Sequence, residues 1–204
     1  MTIAPTDAPA AASQPLDALA SDPVTMGWMV GSPPPPDKLI RFADNSFSRF
    51  PRTRWSYAHM RQLLPTSVVS RGDAVVNALP REERTDIDQI TFQPLGRTDS
   101  MTWAESLLAN YTDGILVLRR GRVVYERYFG VLDAHAQHIA YSVTKSFVAT
   151  LAATLLHEGV LDDQAPVASY LPELQHSGFA DATIRQLLDM TTGMNYTEIG
   201  RAHV

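Results

Sequence analysis

The 204-residue chain contains no cysteine, which removes disulfides, thiolate metal ligands and a cysteine nucleophile together. Lysine is nearly absent as well: only Lys38 and Lys145 stand against fifteen arginines. No basic block occurs and the net charge is −5, so neither nucleic acid nor a membrane is an expected partner. The most apolar run, 147–156, stops at ten residues, about half of what a bilayer-spanning helix needs. Residues 1–19 have neither a basic start nor a continuous apolar centre, so they do not read as a signal peptide. A soluble, cytoplasmic protein is the expectation. The dinucleotide and phosphate-loop glycine patterns are missing, which argues against nucleotide chemistry, and no Gly-x-Ser-x-Gly elbow presents a serine. No cofactor is implied.

What is present is an ordinary globular balance, 45% hydrophobic and 19% charged, at a length suited to one domain. Residues 1–23 carry too little apolar mass to offset ordering entropy and are expected as a disordered lead-in. Residues 24–100 read as an irregular segment packing on the domain. Within it, prolines 33–36 favour an extended strap, and Trp55 and Tyr57 are expected to bury while Arg52 and Arg54 stay in water. Trp28, Trp55 and Trp103 read as core anchors. Regular structure becomes legible over 101–198. A short helix is predicted at 104–111, with Leu107 and Leu108 inward. Two β-branched and aromatic arms, 114–119 and 122–128, flank Arg120-Gly121 and predict a hairpin. Residues 142–158 repeat apolar side chains at Phe147, Val148, Leu151, Leu155 and Leu156, a helical stripe expected to be buried and closed by Gly159. A short helix near 166–171 and a last one over 184–190, capped by Thr183, follow.

At the mouth of the 142–158 helix, Ser142 stands three residues before Lys145. The two share a helix face one turn apart, within reach for the lysine to take the serine proton. That role needs a neutral amine, which desolvation on a sheet favours, and the helix N-terminus favours negative charge near Ser142. The same spacing also describes an N-cap serine followed by a solvated lysine, the commoner arrangement. Lysine scarcity leans toward chemistry: where charge alone matters this sequence uses arginine, which cannot accept a proton. Elsewhere, His135-x-x-His138 lacks a third ligand and no metal is expected. A triad drawing His138 or His157 with Asp162 onto a serine is a further conceivable arrangement.

The run 141–147 (YSVTKSF) after a hairpin, then 158–163 (EGVLDD), 167–174 (VASYLPEL) and 183–193 (TIRQLLDMTTG), resembles the serine β-lactamase-like hydrolases. That group includes class C β-lactamases, penicillin-binding proteins and type VIII esterases. Residues 54–60 (RWSYAHM) and 65–72 (PTSVVSRG) are similar to its 6-aminohexanoate-dimer hydrolase branch. The resemblance implies an α/β (α+β) fold in which helices cover an antiparallel sheet beside a helical lobe, with this hairpin as the first two strands. It also implies an acyl-enzyme mechanism on a small amide or ester: Ser142 attacks a carbonyl, Lys145 relays its proton, and the Ser142 backbone N–H is one oxyanion donor.

Two of that family's motifs, Tyr-x-Asn/Ser and Lys/His-x-Gly, are not found, and Tyr196-Thr-Glu198 is no substitute for the first. Residues 199–204 read as the translation of a common sequencing-library adapter. The domain is therefore expected to be incomplete, lacking its last strands and terminal helix, with negligible turnover and poor folding in the 204-residue chain. A non-catalytic binding or sensor module on the same fold is the alternative to a hydrolase, and a plain domain with an incidental Ser-x-x-Lys is the third reading. Substrate identity and oligomeric state are not legible.

Overall fold

Two tryptophans anchor the first half of the chain. The computed structural model describes residues 15–194, which fall into two units divided between Ile139 and Ala140. In the first unit Trp28, Ile40 and Trp55 form a core, with Met26, Phe47, Leu63 and Val131 packed against it. Helices α1 (Thr53–Ser56) and α2 (Met60–Leu63) are single turns. His59, between them, stacks on Trp55 with ring centroids 4.0 Å apart. Lys38 and Arg52 lie over the Trp28 ring at 5.1 and 5.0 Å, a use of cations on an aromatic face that needs no counter-ion.

Two expectations fail here. Residues 15–23 are not a disordered lead-in: Ala18 and Ser21 are buried, and the 17–21 turn closes through Ser21 N–H on the Asp17 carbonyl. Residues 1–14 lie outside the described residues. Arg54 is not in water either. It is 6% exposed, and its guanidinium donates to Asp113 Oδ1 (3.1 and 3.3 Å), the Ala18 carbonyl (2.5 Å) and Ser21 Oγ (3.2 Å). A buried arginine is tolerable only when paired and well hydrogen-bonded, and these partners take four of its five N–H donors.

The short strands β1 (Thr91–Phe92) and β2 (Met101–Thr102) pair antiparallel. Thr102 then starts α3 (Trp103–Ala109) with a capping box to Glu105, satisfying two orphan backbone donors reciprocally. Leu107 is buried, as the apolar pattern predicts, whereas Leu108 faces outward. Strands β3 (Gly114–Arg119) and β4 (Arg122–Tyr128) form the predicted hairpin. Both turn residues, Arg120 and Gly121, have positive φ, the geometry that lets a two-residue turn follow strand twist. A bulge between Val117 and Leu118 shifts the register. One feature has no sequence signal: the extended segment 80–84 runs along the outer edge of β4, through Val123 N–H to the Pro80 carbonyl, and Glu82 and Arg84 N–H to the carbonyls of Val123 and Val124. Val123 and Tyr125 are almost wholly buried.

The second unit opens with α4 (Val143–His157), which Gly159 ends with φ +70°, a backbone state glycine adopts without strain. Helix α5 (Val167–Tyr170) follows Pro166, and Thr183 caps α6 (Ile184–Leu188) through a capping box with Gln186. Pro166 and Thr183 bridge α5 to α6, Arg185 pairs with Asp163 at 2.6 Å, and Val167 and Ala182 are buried between them. The apolar stripe of α4 departs from expectation. Phe147, Val148 and Leu151 are 60–67% exposed and Leu155 is 41%, and of the stripe only Leu156 is half-buried: the helix forms at the predicted place, but the second unit leaves most of its apolar face uncovered. No helix among the described residues is long and apolar enough to cross a membrane. The adapter-like residues 199–204 and the Tyr196 motif lie outside the described residues.

Candidate active site

Ser142 and Lys145 sit at the N-terminal turn of α4. Lys145 Nζ is 3.0 Å from Ser142 Oγ, so the spacing read from sequence does bring the two groups into contact. Both side chains are exposed. The desolvation expected for Lys145 is not supplied by the described residues, for the reason that leaves the α4 stripe bare.

The chain contains its own controls for the competing N-cap reading. Thr102 and Thr183 are true caps: their backbones are extended (φ −79°, ψ 161° and φ −83°, ψ 160°), and each hydroxyl accepts from the N–H three residues on. Ser142 occupies the same position with helical dihedrals, φ −69° and ψ −11°, and its side chain makes no capping hydrogen bond. The donors that a cap would satisfy are already taken. Val143, Thr144 and Lys145 N–H donate to the carbonyls of Ala140, Tyr141 and Ser142 at 2.9, 3.1 and 3.0 Å, which closes the turn in 3₁₀ fashion. The hydroxyl is thereby left to the lysine. Ser142 N–H has no acceptor among the described residues, the condition an oxyanion donor must meet.

The residue before the serine is Tyr141, at φ +43°. The left-handed region costs a residue with a Cβ about 1–2 kcal/mol, and in a bulky residue it marks strain or function. Sequence reasoning missed this; its only trace is a large aromatic where a left-handed turn would ordinarily carry glycine or asparagine.

His157 forms no triad with Ser142: fifteen residues on and at the far end of α4, it is about 22 Å along the helix axis at 1.5 Å per residue. In the first unit the His138 ring is engaged by its own neighbours: its Nε2 lies 3.8 Å from Asp113 Oδ2 and its Nδ1 2.9 Å from the Ile139 carbonyl. The Asp113 carboxylate holds the imidazole above its ordinary range, against a smaller opposing push from burial. No cluster of three potential metal ligands occurs among the described residues. A recess of about 320 Å³ adjoins this group, lined by Phe50, Thr53, Arg54, Tyr57, Tyr111 and Asp113.

Comparison with known proteins places these residues in context. Residues 103–202 match the family model described as Beta-lactamase, a stretch that contains both Ser142 and Lys145. A 6-aminohexanoate-dimer hydrolase of Paenarthrobacter ureafaciens is 33% identical over 154 residues, covering 76% of this chain and 37% of that protein. Among solved structures, a Bacillus anthracis protein with a provisional 6-aminohexanoate-dimer hydrolase assignment superposes with a TM-score of 0.63. The two are 29% identical over 71% of this chain and 37% of that one. The chain thus spans little more than a third of either relative.

Proposed function

The chain belongs to the serine β-lactamase-like hydrolase family, and from that premise we propose that its parent activity is hydrolysis of a small amide or ester through an acyl-enzyme on Ser142. Ser142 Oγ attacks the substrate carbonyl carbon while its proton passes to Lys145 Nζ. The tetrahedral oxyanion takes the backbone N–H of Ser142. On collapse the bond to the leaving group breaks, and Lys145 returns the proton to the departing amine or alkoxide. Water then attacks the serine ester and regenerates the hydroxyl. The observation that carries this reading is the 3.0 Å contact between Nζ and an Oγ not consumed by capping. The relatives' names make a linear 6-aminohexanoate amide the first substrate to try, with simple esters beside it.

The test is acylation. A fluorophosphonate probe on the full-length parent protein, read by peptide mass spectrometry, is expected to modify Ser142 and to lose that label in Ser142→Ala. A label that persists in Ser142→Ala, or one that forms elsewhere, refutes the assignment. In the full-length parent protein, an acyl adduct that forms with ester or amide but never releases product assigns it to binding or sensing instead.

A further inference from the structure

Ser142 Oγ has two possible partners on the same residue: the backbone N–H of Lys145, three positions on, and the Lys145 side-chain nitrogen. At Thr102 and Thr183 the equivalent backbone donor wins the hydroxyl. At Ser142 the side-chain nitrogen wins. The three sites differ in the chain leading into them. The two threonines are themselves extended, and the direction of their Cα–Cβ bond aims the hydroxyl along the axis at the N–H of the third helical residue. Ser142 already has helical dihedrals, and the turn into it is made one residue earlier, by Tyr141 at φ +43°. With that turn at residue 141, the carbonyls of Ala140, Tyr141 and Ser142 meet the first three helix donors, and the hydroxyl is released from the backbone.

The geometry points to Tyr141 as a positioning residue: its left-handed backbone keeps Ser142 from becoming an N-cap and so delivers the hydroxyl to Lys145. This rests on the assignment of Ser142 as nucleophile and deepens it, since it identifies what decides between the two roles that spacing alone leaves open. The property resides in the backbone. Glycine at 141 preserves it, because glycine enters the left-handed region freely. A β-branched residue abolishes it, because that region is a genuine outlier for such side chains. Valine pushes residue 141 back to negative φ, residue 142 takes the extended geometry seen at 102 and 183, and the hydroxyl turns to the Lys145 N–H.

The experiment measures second-order rates of fluorophosphonate acylation at Ser142, from pH 6 to 10, in the full chain. Tyr141→Phe separates contacts of the phenol oxygen and is expected to match the parent. Tyr141→Gly is expected within threefold of the parent, although it removes the whole side chain. Tyr141→Val is expected to lose at least tenfold. It is also expected to lose the dependence on Lys145, so that adding Lys145→Met to Tyr141→Val costs less than twofold, whereas Lys145→Met alone costs tenfold or more. A merely structural role for the tyrosine side chain predicts the reverse order, with glycine the worst variant and the lysine effect intact in each. Equal losses in Tyr141→Gly and Tyr141→Val, or an undiminished Tyr141→Val, overturn the proposal while leaving Ser142 as nucleophile. Labelling that survives Ser142→Ala, or an unlabelled parent chain, overturns both.

Discussion

Replacing Asp113 with alanine tests whether the Arg54 cluster is the keystone of the first unit. The substitution removes two hydrogen bonds to the guanidinium, at 3.1 and 3.3 Å, and leaves the charge of a 6%-exposed side chain without its carboxylate. Breaking one side of a buried ion pair costs about 3–5 kcal/mol. Asp113 itself retains 18% exposure, and the Ala18 and Ser21 acceptors remain to Arg54, so the lower end, about 3 kcal/mol, is expected. For a unit of this size that corresponds to a fall in melting temperature of about 10 °C. All three tryptophans, Trp28, Trp55 and Trp103, belong to the first unit, so indole fluorescence during urea unfolding reports this unit without interference from the second. The double variant Arg54→Met/Asp113→Leu removes charge and counter-charge together and is expected to recover most of the loss. If Asp113→Ala costs less than about 1 kcal/mol, water screens the pair as it does a surface bridge, and the structural role assigned to Arg54 is wrong.

Three further outcomes follow from separate parts of the molecule. His138 is held above its ordinary value chiefly by Asp113, so its contribution to stability is full below the unfolded-state value, ~6.5, and disappears as pH rises through the folded-state value; the urea midpoint of the first unit should fall across that window, and His138→Gln should flatten the slope. Burial, then the hydrogen bond to Asp88, pushes the Tyr125 hydroxyl up to about 12; absorbance titration at alkaline pH should show one of the seven tyrosines ionising last, and Tyr125→Phe should delete that step. Thr183→Ala removes the side-chain arm of the capping box on α6, the Gln186 N–H to Thr183 Oγ1 bond, and leaves the backbone arm to Gln186 Oε1; it is expected to cost about 1 kcal/mol, read as faster amide exchange over 184–188, while Thr183→Ser should retain most of the protection.

Local chemistry was legible and long-range pairing was not. The hairpin could be bounded from its arms and the Arg120-Gly121 turn because everything that fixes it lies within fifteen residues. The same holds for α4 ending at Gly159 and for the Thr183 cap. Arg54 was misjudged because its burial depends on Asp113, 59 residues away, and on a turn at 17–21 that composition alone marked as disordered. The segment 80–84 carries no strand pattern; it is held by backbone groups of β4, which every sequence possesses. At the candidate site, spacing brought Ser142 and Lys145 together on one face but could not choose between cap and nucleophile, since both occupy the same position. What accompanies the uncapped hydroxyl of Ser142 is a single dihedral at Tyr141, a quantity that residue type predicts only weakly. The stripe of α4 was correctly periodic and wrongly expected to be covered, because periodicity reveals which face is apolar and not what lies on it.

The segment 80–84 closes one flank of the β3–β4 ribbon. A two-stranded ribbon with both flanks bare can add neighbours on either side without end, and growth of that kind is what makes fibrils. Here the β4 flank is occupied by 80–84, and among the described residues no strand pairs with the outer flank of β3. On the β4 side the ribbon therefore offers no free backbone edge to a further strand.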